Sequence, residues 1–220
     1  MSREASSLGD IWPLFALRVR TARLELRLPT DDELTPLMAV ARAGIHPADE
    51  MPFAVPWTRA TGAEFERGFL QHHWRMRGAW SPEDWTLNLA AYRDGEPVGS
   101  QTVAAEGFAT LRIVDTGSWL GRPFQGQGLG KEMRAGVLAL AFDGLGARLA
   151  RSEAFERNPA SAGVSRALGY EDDGEDWKVV EEQPRRAQRF RITRERWAAR
   201  PRLEVALAGL EPCRSLFGAG

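Results

Sequence analysis

The stretch that most constrains this chain is Trp119-Leu120-Gly121-Arg122-Pro123-Phe124-Gln125-Gly126-Gln127-Gly128-Leu129-Gly130-Lys131. Before it, Arg112 to Leu120 reads as a strand. After it, Leu129, Met133, Val137, Leu140 and Ala141 recur on one face of a helix predicted over Gly128 to Leu145. A strand therefore ends, turns, and enters a helix inside a run of glycines. Glycines at a helix start leave the first backbone N–H groups unshielded. Those donors and the positive end of the helix dipole attract an anion, most often a phosphate. The chain must fold around a strand–turn–helix unit with an open N-terminal turn, unless the glycines are only a connector.

Two common phosphate motifs fail here. A nucleotide P-loop needs Ser or Thr after Gly-Lys and a glycine five residues before that pair, but Glu132 follows Lys131 and Gln125 takes the glycine's place. The dinucleotide fingerprint needs Gly-x-Gly-x-x-Gly near the first strand, but Gly126, Gly128 and Gly130 are evenly spaced and lie deep in the chain. What remains is Gln/Arg-x-x-Gly-x-Gly/Ala, met by Gln125, Gly128 and Gly130.

The rest of the chain reads as mixed α/β. Leu24, Leu26 and Leu28 alternate with charged residues as a half-buried strand that Pro29 ends. Thr30 and Glu33 have capping-box spacing before a helix over Asp31 to Ala43. Residues 45–61 hold Pro47, Pro52 and Pro56 among apolar side chains, which excludes a regular helix and argues for an ordered loop, either packed over the core or walling a cleft. A helix over Ala63 to Gly78 and a hairpin, Trp85 to Arg93 and Pro97 to Ala105 around Asp94-Gly95, come next. Beyond the glycine turn, Arg148 to Phe155 reads as a strand, Pro159 to Leu168 as a helix, and Arg186 to Thr193 as a strand after an extended stretch from Tyr170. Arg202 to Ala208 is a candidate additional strand. This order is not a pure βαβ alternation.

Residues 220 in number suffice for one domain with a core of its own. Net charge is -1, which argues against a broadly basic nucleic-acid binder. No apolar run approaches the roughly 20 residues of a membrane span, and no secretory signal is visible at the start, so a cytoplasmic protein is expected. One cysteine, Cys213, and three histidines leave no material for a thiolate cluster and little for zinc, so no metal site is assigned.

The glycine turn resembles the pyrophosphate-binding turn of the GNAT N-acetyltransferases. Further segments resemble the branch that includes the ribosomal-protein N-terminal acetyltransferases of the RimJ/RimL type: Thr21-Ala22-Arg23-Leu24-Glu25-Leu26-Arg27, Gly117-Ser118-Trp119-Leu120, Asn158-Pro159-Ala160-Ser161, and Leu168-Gly169-Tyr170. The pattern, with a C-terminal tail carrying Pro212-Cys213-Arg214, is also similar to a mycobacterial-type subgroup that includes succinyltransferases. Ser118 and Asp115 depart from the branch, which usually has an aromatic residue and Glu there.

The resemblance implies one GNAT-type domain over 1–200, with a mostly antiparallel sheet, a parallel pair splayed around the cofactor, and flanking helices. Residues 201–220 form a tail that is either tucked on its own sheet edge or paired with a second copy in a homodimer, the latter being favoured. The implied activity is transfer of an acetyl or succinyl group from acyl-CoA to an amine, without a metal; a CoA-binding protein without turnover is the alternative. Backbone N–H groups of Gln125, Gly126, Gln127, Gly128, Leu129, Gly130 and Lys131 would hold the pyrophosphate. The strand edge at Trp119 and Leu120 and the side chain of Asn158 would hold the pantetheine arm, and an N–H near Leu120 would polarise the thioester. Ser161 would protonate the leaving thiolate. Asp115, acting through a water, is the first candidate base, with Glu106 second and His72 or His73 behind them. Arg59, Arg75 and Arg77 are candidate partners for a succinyl carboxylate, with Arg202 and Arg214 in the tail as further ones.

Overall fold

The computed structural model describes residues 7–201 and 203–220. Arg202, a candidate carboxylate partner and the expected start of the last strand, lies outside the described residues. The elements in chain order are α1 (Leu8–Ile11), β1 (Arg18–Arg20), β2 (Glu25–Arg27), α2 (Asp31–Arg42), α3 (Gly62–Gly78), β3 (Asp84–Arg93), β4 (Glu96–Glu106), α4 (Phe108–Leu111), β5 (Ile113–Leu120), α5 (Leu129–Ala139), β6 (Leu149–Phe155), α6 (Pro159–Ala167), β7 (Glu171–Val180), β8 (Gln183–Thr193), α7 (Arg194–Ala198) and β9 (Ala206–Ala208). The strands form one sheet in the order β7-β8-β6-β5-β4-β3-β2-β1-β9. Every pairing is antiparallel except β5 with β6. This is the mixed α/β architecture with one parallel pair that the sequence led us to expect.

Local rules account for most boundaries. Thr30 caps α2 with the full reciprocal capping box to Glu33. Asp94 and Gly95 take positive φ in the β3–β4 turn, as a tight hairpin requires. The expected opening strand is β2, and a further short strand, β1, precedes it with Val19 facing Leu26; Thr21 to Leu24 closes the turn between them, the Thr21 N–H donating to the Leu24 carbonyl and the Leu24 N–H to the Thr21 hydroxyl. The helix after the glycine turn also changes form near its end. α5 stops at Ala139, and a wider π-type turn over Leu140–Gly144 carries the chain to the expected terminus at Leu145.

Two apolar layers sandwich the sheet. Leu129, Met133 and Val137 of α5 pack with Leu87, Leu89, Val103 and Val114 on one face. Leu34 and Leu37 of α2 and Phe65 and Phe69 of α3 cover Ala90 and Tyr92 on the other. Among the described residues, no helix is long and apolar enough to cross a membrane.

Within the chain the tail adds a strand to its own sheet. β9 pairs with β1, placing Leu207 opposite Val19. The 3-10 helix Glu211–Phe217 then buries Cys213 and Phe217 completely. The indole N–H groups of Trp80 and Trp85 donate to the Leu216 and Phe217 carbonyls at 2.9 and 3.2 Å. These contacts pair one edge of β9 and bury Cys213 and Phe217, while β9 remains the last strand of the sheet.

Two predictions follow from this packing. Phe217→Ala should lower stability by about 3–5 kcal/mol, as expected for a fully buried aromatic ring, and a urea titration would register it. His73 is buried against Phe69, with ring centroids 4.9 Å apart. Burial, with smaller contributions from His72 and Arg77, pushes its pKa down to about 3 from an ordinary 6.5. Between those values the unfolded chain binds a proton that the folded chain does not. Stability from this group is full above pH 6.5 and falls with pH, at most by about 1.4 kcal/mol per unit, until pH 3. His73→Phe should flatten the pH dependence of the urea midpoint between pH 6.5 and 4.5.

Candidate active site

β5 and β6 pair in parallel only from Ile113↔Leu149 to Thr116↔Ser152. Beyond that point they diverge, because each is held on its outer side: β5 by β4 through Leu120, and β6 by β8 through Phe155. The gap opens into a cleft of about 1230 Å³. Its walls are the parted strands, the start of α5, α6, and the proline loop through Ile45, Pro52 and Phe53. The proline loop is therefore a cleft wall. An ion pair from Arg59 to Glu181, at 2.7 Å, ties it to the β7–β8 hairpin.

The head of the cleft is the glycine turn. Gly126 and Gly128 have φ of +73° and +79°, a region in which L side chains are strained. A Cβ on Gly126 would meet nothing within 4 Å, so the cradle is open. Gly128 caps α5 with no side-chain hydrogen bond. The Lys131 N–H donates to the Gly128 carbonyl, which leaves the Leu129 and Gly130 N–H groups for a ligand, and the glycine geometry fits a pyrophosphate. Gln125 fixes the turn from below, donating to the Ile45 and Leu120 carbonyls at 2.6 and 2.8 Å.

A buried carboxylate locks this turn to the opening strands. Glu132, 3% exposed, accepts from the Thr21 hydroxyl at 2.6 Å, the Arg23 N–H at 2.8 Å and the Arg23 guanidinium at 2.7 Å. Burial pushes its pKa up, but these hydrogen bonds outweigh burial and hold it below the ordinary value. Arg23 also donates to the Gln127 carbonyl.

The expected site residues divide clearly. Trp119, Leu120, Gln125, Gly126, Gly128, Gly130, Lys131, Asn158, Ser161 and Asp115 all line the cleft. Gln127 and Leu129 can contribute only backbone. The Gln127 side chain turns away to Arg93 and the Pro123 carbonyl, and Leu129 is buried in the core. Asn158 caps α6 by accepting from the Ser161 N–H at 3.1 Å, with Pro159 in the first turn.

Asp115 sits on the cleft wall in a bidentate pair with Arg151, at 2.9 and 2.6 Å. Glu106 is not at this mouth. It lies opposite Asp84, two residues beyond Ala104, the β4 neighbour of Asp115, and therefore away from the parted ends. The histidines are not in the cleft lining either. His73 packs in the core, and His72 accepts from the Asn88 amide at 3.1 Å. Burial, with Arg75 nearby, lowers the His72 pKa.

The arginines proposed for a carboxylate are placed elsewhere. Arg59 binds Glu181 and Arg77 binds Asp31, while Arg75 lies on the exposed face of α3. Arg214 donates to the Gly144 carbonyl. Sequence reading missed Arg134, which lines the cleft from α5 at 2% exposure. The signal was present in its i+4 spacing from Gly130, which puts both on one helix face.

A family model described as the acetyltransferase (GNAT) domain matches residues 23–171. The chain belongs to the GNAT acetyltransferase family. It is a GNAT-type N-acyltransferase. Its fold is shared with RimL, the ribosomal L7/L12 alpha-N-protein acetyltransferase, whose structure is a complex with coenzyme A. That match has a TM-score of 0.63 at 15% identity over 79% of this chain and 95% of that one. A GCN5-related N-acetyltransferase from Brucella melitensis gives 0.65 at 18% identity, covering 83% of this chain and 80% of its own. A GNAT-family acetyltransferase from Bacillus anthracis gives 0.64 at 14%, covering 81% and 99%.

The open turn yields a direct test. Free CoA should raise the thermal midpoint of the wild-type chain, because a ligand held only by the folded state stabilises it. Gly128→Asp places a side chain and a negative charge where phosphate belongs, and should abolish the rise. An equal rise in the variant would place the phosphates elsewhere.

Proposed function

We propose that this enzyme transfers a short acyl group, acetyl or succinyl, from CoA to an amine by direct attack on the thioester. The observation that carries this reading is the uncapped, glycine-lined start of α5 at the head of two parted strands. The N–H groups from Gly126 to Gly130 hold the pyrophosphate, because those of Gln125 and Lys131, expected to share in this, donate instead to the Arg122 and Gly128 carbonyls. The free edge of β5 at Trp119 and Leu120, with Asn158 across the cleft, holds the pantetheine arm. An N–H near Leu120 donates to the thioester oxygen as charge develops there.

The attacking amine must first lose a proton. With both carboxylate oxygens of Asp115 engaged by Arg151, the proton passes to a water that Asp115 orients. The amine nitrogen then bonds to the thioester carbon, the C–S bond breaks with sulfur keeping the electron pair, and the nitrogen gives up its second proton through the same water to solvent. Ser161 supplies the proton for that thiolate and regains one from solvent.

The acceptor in this proposal is a protein N-terminus, a lysine side chain or a small-molecule amine. A donor and acceptor panel read by mass spectrometry separates these. We place the enzyme in the cytoplasm, consistent with its lone, buried Cys213. We also propose a homodimer, with the outer strand β7 and its exposed Trp177 and Val179 supporting contact there. Light scattering reads the mass. Ser161→Ala should reduce turnover roughly ten- to thousandfold with little change in donor affinity, as loss of an acid rather than an anchor requires. An unchanged rate would leave Ser161 as a helix-start residue and water as the proton source.

A further inference from the structure

Among the described residues that line the cleft, Arg134 is the one buried charge. Its Nη1 donates to the Ser152 hydroxyl at 2.8 Å and its Nη2 to the Ser118 hydroxyl at 3.4 Å. No described carboxylate forms an ion pair with it, whereas Arg23 and Arg151 nearby each have one. A guanidinium keeps its charge, and two neutral hydroxyls leave that charge uncompensated.

The other charges around the gap are arranged differently. Asp115 is tied to Arg151, Glu153 to Lys178 and Asp173 to Arg191. Glu50 on the proline loop, Lys131 on α5, Arg157 after β6, Asp176 on β7 and Arg189 on β8 complete the set. All of these are exposed or half-buried, so solvent screens them. The buried guanidinium is screened least, and its field acts across the inner corner of the cleft. Ser118 brings that field to the open gap. It is exposed on the cleft wall, two residues past the last residue of β5 that pairs with β6. Its oxygen accepts from Arg134, and its own O–H donates to no described residue.

We propose that Ser118, polarised by Arg134, donates a hydrogen bond to the sulfur of CoA and stabilises the thiolate as it leaves. This rests on the acyl-CoA reading above, in which an N–H near Leu120 serves the thioester oxygen and only the neutral Ser161 serves the sulfur. Ser118 lies two residues, about 6.6 Å, from Leu120 along β5 and on the same face, so both border one thioester. In the transfer the C–S bond breaks as the amine nitrogen bonds to carbon, and sulfur takes the electron pair. Ser118 shares its proton with that sulfur and keeps it; Ser161 then delivers one, as above. Ser118 touches the leaving group, and Arg134 acts through it as a positioning residue. A cation and a hydrogen-bond donor beside a thiol favour its ionised form. Bound CoA therefore ionises more readily than free CoA.

Two probes test this on the full chain by calorimetry: CoA, and desulfo-CoA, which lacks only the sulfur. The ratio of their affinities cancels the titration of every other group around the gap. An unperturbed thiol titrates near about 8.5. Where the bound thiol titrates lower, CoA releases a proton on binding between the two values. Its affinity relative to desulfo-CoA then climbs with pH, by up to about tenfold per unit. The wild type should show a rise of at least about tenfold between about pH 6 and about pH 9. Arg134→Met, close in length and uncharged, should hold the rise under about threefold, and Ser118→Ala should reduce it. Ser152→Ala removes the other partner of Arg134 while keeping the charge, and should leave the rise unchanged. A flat wild-type ratio overturns the proposal, and so does a rise that survives Arg134→Met. Loss of the rise in Ser152→Ala to the same degree as in Arg134→Met also overturns it, making Arg134 a brace for the parted strands. Should Arg134→Met fail to fold, Ser118→Ala decides, and a rise unchanged in that variant overturns the proposal. Failure of the wild type to bind either probe would instead sink the acyl-CoA reading beneath it.

Discussion

The parting of β5 from β6 after Thr116 and Ser152 is the constraint on which the remaining architecture rests. A sheet interior does not normally tolerate such a gap, because it strands backbone N–H and C=O groups away from partners. Here the gap persists because both strands remain anchored on their outer edges, to β4 and β8. The opened edges become acceptors and donors for an extended ligand with amide groups of its own. The start of α5 stands at the head of the gap, α6 along one side, and Arg134 at its inner corner.

The gap would be of little use without a turn held in one shape. Glu132 provides that constraint by joining residues 109 and 111 positions away in sequence. A carboxylate at 3% exposure demands its hydrogen bonds, and Thr21 and Arg23 supply them only while the β1–β2 turn stays closed. The same arginine reaches the Gln127 carbonyl inside the glycine turn. The opening segment and the phosphate turn, far apart in the chain, are thereby one structural unit. That coupling joins two of the separated segments on which the sequence resemblance rests.

Much of this was legible because it depends on local chemistry. The capping box at Thr30, the Asp94-Gly95 hairpin and the glycine run before Leu129 each write their conformation into a few adjacent residues. The glycine turn that opens the cleft was readable for the same reason, since its shape at a helix start is local. Side chains whose roles depend on non-local partners were not readable. Asp115 and Arg151 meet only through the β5–β6 register. Glu106 lies at the wrong end of its strand because β4 runs antiparallel to β5. β9 could not be assigned to its own sheet until β1, which precedes the expected opening strand, supplied an edge.

The alternation of β5 also divides the labour of the site. Val114, Thr116 and Ser118 point toward α5, where Val114 joins the core and Ser118 meets Arg134. Asp115 and Trp119 point the other way, Asp115 to Arg151 and Trp119 to the aromatic group of Trp57 and Phe69. Adjacent residues on one strand thus face opposite sides of the sheet. Groups that would read the acyl donor lie on the α5 side, and the carboxylate that would help deprotonate the acceptor lies on the other. In the proposed reaction the thioester lies in the gap, between the two sets. A slip of one residue in the β5–β6 pairing would exchange the two sets and bury Asp115 against α5 without Arg151. The register from Ile113 to Thr116 therefore fixes the chemistry of the site as well as its shape.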